Sequence, residues 1–505
     1  MNQLRKIWDG IFAADDPKYR TASPISMMFC SAGSGAKMAV MILMILSSYA
    51  ANLGFGIVAT VAGVIMTVKG FFDGGIDPVI AGIYDRMPVG KHGKMRIFLL
   101  TGFAICVVSS VLMFFVLPEK ISGVPALVVF IILYFMFAIG YSTLGIAVTT
   151  VPAMLTNNPK QRPFMNFMAQ VYQYITPIII TNIVSFKVLP KYDNQYNVAS
   201  MKELVWVYLG IAAVFLVLAC IGMSQVDKPE ILGALVTNGG TKEEKIKVKD
   251  MWNFVRHNKA MRCYLVTGIS DKIGTSTAGQ SVITTLIGGV LIGSYQATTV
   301  INSVSSILGL VFAFFGGVLI ARWGAKKAVN ISAAGSIIVA AITAIFFFVM
   351  KPSGMPALGV MGAPMIFYMV LILGRQVFMV MNGTAEGMMR ADVVDYELER
   401  SGNYMPGMVG AVYTFTDQIV CSFNSTIAAF AITLIGYGKT LPQMGDKATW
   451  SVMIVAVAIT YGLPALGWIF NIVAMKYYEL DKKRMEEVQQ NIYDRKMAAI
   501  AAAGK

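Results

Sequence analysis

The chain has 505 residues, of which 56% are hydrophobic and only 13% are charged, and its formal net charge is +14. A soluble domain carries about 25% charged residues, so we expect lipid to be the solvent for most of this chain. The composition therefore excludes a soluble enzyme, a secreted disulfide scaffold and a nucleic-acid-binding protein, in spite of the positive charge.

Long uncharged runs predict twelve transmembrane helices, because about 20 apolar residues cross the hydrocarbon core of a bilayer. The stretch 1–24 that precedes them is charged throughout and lacks the apolar core of a signal peptide, so we interpret it as a cytoplasmic segment at the membrane surface. The predicted spans are 25–50, 54–84, 97–117, 124–155, 164–187, 203–224, 261–291, 296–321, 328–350, 357–389, 405–438 and 449–475.

A polar, basic stretch at 225–260 divides the twelve spans into six and six. It predicts a cytoplasmic linker between a bundle at 25–224 and a second bundle at 261–475, with a cytoplasmic tail at 476–505. A similar apolar-to-basic transition follows the second and the eighth spans, which indicates an internal repeat. Two parallel six-helix halves with a site between them are typical of the major facilitator fold, so we predict an all-α membrane protein of that class.

The distribution of the 41 lysines and arginines predicts the orientation. Most of them fall in cytoplasmic segments if both termini are cytoplasmic, as the positive-inside rule requires. We therefore expect a multi-pass protein of the plasma membrane, the inner membrane in a bacterium, with no nucleic acid as partner. Four basic residues fall inside the predicted spans, namely Lys37, Lys69, Lys272 and Arg375.

Two acids lie inside the second span, where an ionisable residue costs about 2.5–3.5 kcal/mol on insertion scales. Asp73 and Asp77 are four residues apart, so they share one face of the helix and repel each other. Pro78 has no N–H, which leaves the carbonyl of Gly74 without its helical donor. Two carboxylates and a free carbonyl predict a site for a coupling cation, Na⁺ or H⁺. Alternatively, the acids form salt bridges with Lys37, Lys69 or Lys272.

The second span and its following loop carry a long, ordered motif. It reads Asp73-x-x-x-Asp77-Pro78-x-x-x-Gly82-x-x-x-Asp85-Arg86 and then Gly90-Lys91-x-Gly93-Lys94-x-Arg96. This pattern resembles the signature of the glycoside-pentoside-hexuronide:cation symporters. The stretches 156–162 and 391–397 resemble two further cytoplasmic motifs of that family, and the resemblance covers about residues 20–475.

The resemblance implies roles for individual residues. In the family, the two acids of the second span bind the coupling cation with a hydroxyl of the fourth span, which implies Asp73, Asp77 and Ser142 as cation ligands. It also implies a cytoplasmic gate that latches the two halves, with simple positive-inside charge as the alternative explanation for these residues. The gate residues would be Asp85, Arg86, Lys91, Lys94 and Arg96.

The sugar-binding positions of the galactoside transporters in that family are not retained. Lys37 stands where those transporters have a first-span acid, which predicts a substrate with an anionic group such as a uronide. The alternative is an internal pair between Lys37 and Asp73 or Asp77. The full set of candidate substrate-binding residues is Lys37, Tyr141, Gly145, Thr149, Gln170, Arg375, Asp417 and Gln418.

Two more charge pairs can be expected in the second half. Glu386 and Arg390 are four residues apart and predict an ion pair on one helix face. Arg375 lies deep in the tenth span, where it either contacts substrate or pairs with Asp417 or Asp271.

Together these features predict a monomeric, cation-coupled symporter that imports a sugar-like solute by alternating access. The alternatives are a symporter of a non-sugar organic anion and a membrane sensor without transport activity. The chain has no Walker-type nucleotide motif, and its two histidines, His92 and His257, lie in separate loops. We therefore expect no catalysis, no cofactor and no metal site beyond that of the coupling cation. The expected partners are the substrate, the cation and the lipid bilayer.

Overall fold

A computed structural model of the chain describes residues 22–87, 90, 93–156, 161–224, 227–228, 248–402 and 405–503. Within these ranges every regular element is a helix. The helices form two compact units. One comprises Met1–Lys242 with Tyr437–Leu441, and the other comprises Glu243–Gly436 with Pro442–Lys505.

Six long helices make up the first unit within the residues that the structure describes. Ser23 begins the first of them, since its hydroxyl accepts the backbone N–H of Ser26, and Asn197 begins the sixth through a capping box with Ser200. The helices are α1 (Pro24–Gly54), α2 (Ala59–Arg86), α3 (Met95–Val116), α4 (Gly123–Leu155), α5 (Gln161–Ile183) and α6 (Val198–Met223).

The second unit contains ten helices in the part of the chain that is described. They are α7 (Val248–His257), α8 (Lys259–Ala278), α9 (Ser281–Leu291), α10 (Tyr295–Trp323), α11 (Ala325–Gly354), α12 (Ala363–Ser401), α13 (Pro406–Ser422), α14 (Asn424–Leu434), α15 (Trp450–Tyr477) and α16 (Lys482–Ala503).

Each of the twelve predicted spans contains a helix. The seventh span is divided into α8 and α9, and the eleventh into α13 and α14. Eight helices of the described chain are both long and apolar enough to cross a membrane. A multi-pass membrane protein follows from this number.

Three stretches that lie outside the long apolar runs are helical. The helix α12 has 39 residues and is therefore about 58 Å long, well beyond the thickness of the hydrocarbon core, so the motif at 391–397 lies on a helical extension. The end of the stretch predicted as a linker forms α7, whose Phe254 is buried in the core of the second unit. The tail forms α16, where Arg484 and Asn491 donate to Glu399 of α12 at 2.7 and 2.5 Å.

Glycine determines one close helix contact that positions polar groups. A Cβ atom on Gly467 of α15 would lie 2.4 Å from the Cα atom of Asp271 in α8, so these two helices touch through their backbones. The next residue, Trp468, is fully buried and points its indole at Asp271. The absence of a side chain at Gly467 therefore allows the indole of Trp468 to reach the buried Asp271.

Candidate functional site

One face of α2 carries three charged residues at successive helical turns, Lys69, Asp73 and Asp77. The Nζ atom of Lys69 lies 2.5 Å from Oδ2 of Asp73, and the two side chains are only 8% and 15% exposed. The other oxygen of Asp73, Oδ1, is buried and has no hydrogen-bond partner among the residues that the structure describes. One of the alternatives from the sequence, a salt bridge to Lys69, is therefore present in this structure.

Two lysines converge on the ring of Tyr141 in α4. Lys37 of α1 and Lys69 of α2 place their Nζ atoms 5.5 and 5.8 Å from the ring centroid. A Cβ atom on Gly145 would lie 3.2 Å from Nζ of Lys37, so the missing side chain leaves room for this ammonium group. Lys37 also interacts electrostatically with Asp77. The structure thus brings together predicted cation-binding and substrate-binding residues.

For the other candidate residues of the first unit, the structure shows their burial and their hydrogen bonds. Ser142 is buried on α4 beside Tyr141. Thr149 donates its hydroxyl to the carbonyls of Gly145 and Ile146 in its own helix. Gln170 is exposed. Within the described ranges, no hydrogen bond or ion pair links Thr149 or Gln170 to the two lysines.

The predicted cytoplasmic gate contains a contact that the sequence did not indicate. The carboxylate of Asp227, which follows α6, accepts the backbone N–H groups of Lys94, Met95 and Arg96 at 2.8, 3.2 and 2.9 Å. These are amides at the start of α3 that have no partner within their own helix. The guanidinium of Arg96 also contacts Asp227, at 3.4 Å.

The structure describes the other predicted gate residues only in part. The Nζ atom of Lys94 lies 4.6 Å from the ring centroid of Tyr84. Asp85 and Arg86 form the last turn of α2, but their side chains are outside the described part of the structure, as is the whole of Lys91. The role of this region as a gate stays a prediction.

In the second unit, Lys272 of α8 bridges to α13. Its Nζ atom lies 2.5 Å from Oη of Tyr413 and 3.4 Å from Oδ1 of Asp417. The phenol of Tyr413 in turn donates to the carbonyl of Gly268 at 3.1 Å. Gln418 follows Asp417 on α13 and is half-buried.

Arg375 does not form either of the acid pairs that were considered. Its guanidinium contacts the carbonyl of Thr460 at 3.4 Å and lies 5.4 Å from the ring centroid of Tyr461. Asp417 is held by Lys272 instead, and Asp271 by nitrogen donors. Within the described chain, Arg375 has no carboxylate partner, which leaves it available for an anionic ligand.

The predicted pair between Glu386 and Arg390 is wrong. Glu386 is buried and accepts a hydrogen bond from the amide of Asn382 at 2.6 Å, one turn earlier on α12. Arg390 is exposed, and no ion pair joins the two residues in the region described. Asn382 and Trp468, which bind the buried acids here, were not recognised in the sequence because an amide and an indole carry no charge to mark them.

In chemical terms, the first unit holds two carboxylates and two ammonium groups around one aromatic ring, within helices that cross the membrane. Charged groups in such a low-dielectric environment attract opposite charges strongly. The ammonium groups can bind an anionic group of a ligand, and the carboxylates can bind a cation. An arrangement of this kind can couple the binding of one ion to that of another.

Comparisons with known proteins cover almost the whole chain. Residues 28–482 match the family described as MFS/sugar transport protein. The symporter YjmB of Bacillus subtilis (strain 168), itself uncharacterised, is 23% identical over 442 residues, which cover 86% of this chain and 87% of that protein. The glucuronide carrier protein homolog of Escherichia coli (strain K12) is 22% identical over 463 residues, which cover 90% of this chain and 91% of that protein.

A solved structure is similar in fold. The crystal structure of a D-xylose-proton symporter superposes with a TM-score of 0.59 at 12% sequence identity, and the match covers 90% of this chain and 97% of the other. At this identity the similarity applies to the fold alone.

Proposed function

Because the chain belongs to the MFS/sugar transport protein family, we propose that it is a cation-coupled symporter which imports a uronide, a sugar-like solute bearing a carboxylate, by alternating access. The observation that carries this proposal is the convergence of Lys37 and Lys69 on Tyr141, next to Asp73 and Asp77. The family membership and the all-α major facilitator fold predicted from the sequence are confirmed. The substrate and the cation are our inference.

The coupling cation, Na⁺ or H⁺, would bind at the acids of α2. Asp73 has a buried oxygen without a hydrogen-bond partner among the described residues, and a buried acceptor of this kind costs free energy unless a donor or cation reaches it. Pro78 lies inside α2, so the carbonyl of Gly74 receives no helical N–H from that position. In this proposal the hydroxyl of Ser142 would complete the set, which would then consist of oxygen ligands, the type that hard cations prefer.

The carboxylate of the substrate would bind to Lys37. Its ammonium group lies beside Gly145, where a Cβ atom would be only 3.2 Å away, and hydrogen bonds to charged groups contribute about 1.5–3 kcal/mol. In the second unit, Arg375 offers a guanidinium without a carboxylate partner in the described chain. One relative is named a glucuronide carrier protein homolog, which supports a substrate of this class.

The remaining features follow from the same proposal. We place both termini in the cytoplasm and the protein in the bacterial inner membrane, where it works as a monomer without a cofactor. The solute, the coupling cation and the lipid bilayer are its partners.

The experiment compares two solutes that differ by one carboxylate. Purified protein in proteoliposomes is assayed for uptake of labelled phenyl β-D-glucuronide and phenyl β-D-glucoside, with Lys37→Ala as the variant and the exposed Lys187→Ala as the matched control. We expect the wild type and the control to prefer the glucuronide, and Lys37→Ala to lower its uptake by about tenfold or more, since about 1.4 kcal/mol corresponds to tenfold. Equal uptake of both solutes by all three proteins would refute a uronide substrate.

A further inference from the structure

A second pair of buried acids lies in the second unit, remote in sequence from the acids of α2. Asp271 of α8 and Glu386 of α12 are 8% and 9% exposed. Both accept hydrogen bonds from one atom, Nδ2 of Asn382, at 3.2 and 2.6 Å respectively. The amide oxygen of Asn382 is itself fixed, because it accepts the hydroxyl of Ser332 from α11 at 3.1 Å. The two carboxylates are therefore held close together in a defined geometry.

The charge of this pair is not balanced by a direct cation contact. The ammonium nearest in sequence belongs to Lys272, which bonds to Tyr413 and Asp417 of α13 rather than to either acid. The element α15 contributes Trp468, whose Nε1 donates to Oδ2 of Asp271 at 3.1 Å but carries no charge. In the described part of the chain, no lysine or arginine forms an ion pair with Asp271 or Glu386.

One acceptor in the cluster is left open. Oδ1 of Asp271 is buried and has no hydrogen-bond partner in the described chain, while Oδ2 accepts two bonds. Two ionised carboxylates so close together in a low-dielectric interior repel each other, and an unsatisfied anionic oxygen adds a desolvation cost. Binding one positive charge removes both penalties.

The hydrogen-bond donors around Asp271 and Glu386 determine which cation can bind there. Asn382 and Trp468 direct N–H groups at Oδ2 of Asp271 and at Oε1 of Glu386, so a metal ion could coordinate these two oxygens only by displacing the donors. A proton adds to a carboxylate oxygen without needing a shell of further oxygen ligands. The surroundings therefore favour H⁺ over Na⁺.

We propose that Asp271 and Glu386 form a proton-binding pair, in which a single exchangeable proton taken from water converts one carboxylate into a carboxylic acid. This would be an ion site in addition to that of Asp73 and Asp77. It does not depend on which solute is carried, because the proton can be detected without any transport.

The test is infrared difference spectroscopy of the purified, reconstituted protein without substrate. The carbonyl-stretch band of a protonated carboxylic acid is followed in the wild type as the pH rises from about 5 to about 9, a range that reaches the values known for buried acids. Asp271→Asn and Glu386→Gln retain the size of each side chain, and Glu487→Gln at an exposed site is the matched control. A titration in the presence of added NaCl distinguishes the proton from Na⁺.

As the pH rises, we expect the wild type and Glu487→Gln to lose a band that is larger, by one carboxyl group per protein, than the band lost by Asp271→Asn or by Glu386→Gln, with no effect of NaCl on this difference. Both Asp271→Asn and Glu386→Gln should lack this transition. The proposal is overturned if the wild type shows no such band, if the band does not change with pH, if NaCl abolishes it at constant pH, or if it survives in both variants. Either variant alone gives the difference from the wild type, so the test remains decisive if one of the two does not fold.

Discussion

The Nζ atom of Lys69 lies 2.5 Å from Oδ2 of Asp73, one helical turn further along α2. The acid that the sequence identifies as a cation ligand thus already holds an ammonium group in this structure, while its second oxygen has no hydrogen-bond partner among the described residues. A transported cation that binds Asp73 would compete with Lys69. During transport, Asp73 would then bind Lys69 and the transported cation in turn.

The first prediction concerns the removal of Lys69. Removing one partner of a buried ion pair costs about 3–5 kcal/mol, because it leaves the other charge uncompensated. Lys69→Ala should therefore lower the melting temperature of the purified protein in cation-poor buffer. Saturating Na⁺ or a lower pH should recover much of the lost melting temperature, since the coupling cation then occupies the vacated place at Asp73.

Lys69→Arg is the matched control, because it retains a positive charge at the same turn. The rise in its melting temperature on addition of the cation should match that of the wild type and be smaller than that of Lys69→Ala. If Lys69→Ala is destabilised equally at every Na⁺ concentration and pH, the cation does not bind where Lys69 was.

The second prediction concerns the aromatic ring between the two lysines. Each cation–π contact with Tyr141 contributes about 0.5–2 kcal/mol, so Tyr141→Leu should weaken the positioning of both Lys37 and Lys69. We expect the KM for phenyl β-D-glucuronide to rise several-fold. Tyr141→Phe keeps the ring and should have a KM close to that of the wild type, as measured by initial uptake rates. Equal KM values for the Leu and Phe variants would contradict a role for the ring.

The third prediction concerns Asp227 at the start of α3. Its carboxylate accepts three backbone N–H groups, and loss of a helix cap costs about 0.5–2 kcal/mol. Asp227→Ala should therefore lower the melting temperature. Asp227→Asn, which retains one acceptor oxygen, should be intermediate between Asp227→Ala and the wild type. An unchanged melting temperature in Asp227→Ala would show that the start of α3 has another source of stability.

The sequence predicts those features that depend on spacing along one helix. Each of the twelve spans predicted from apolar runs contains a helix, and the four-residue interval between Asp73 and Asp77 places both on one face of α2. The same interval misleads at Glu386 and Arg390. There, the glutamate is buried against Asn382 while the arginine is exposed, so spacing alone does not make a pair.

Contacts between helices could not be predicted in the same way. Lys272 of α8 reaches Asp417 of α13, and this contact removes the acid that we considered as a partner for Arg375. Asp227 reaches the first amides of α3 across more than 130 residues of chain. Such contacts depend on which helices are neighbours and on how they are rotated, and neither property is encoded in a local pattern.

The central claim is that the acids of α2 couple uptake to a cation gradient. The most direct measurement is the accumulation of phenyl β-D-glucuronide in proteoliposomes with an imposed Na⁺ or H⁺ gradient, for the wild type, Asp77→Asn and the control Asp446→Asn in the loop before α15. We predict that one of the gradients drives accumulation in the wild type and the control, and that Asp77→Asn loses it but still exchanges the solute in the absence of a gradient. Full gradient-driven accumulation by Asp77→Asn would contradict the mechanism.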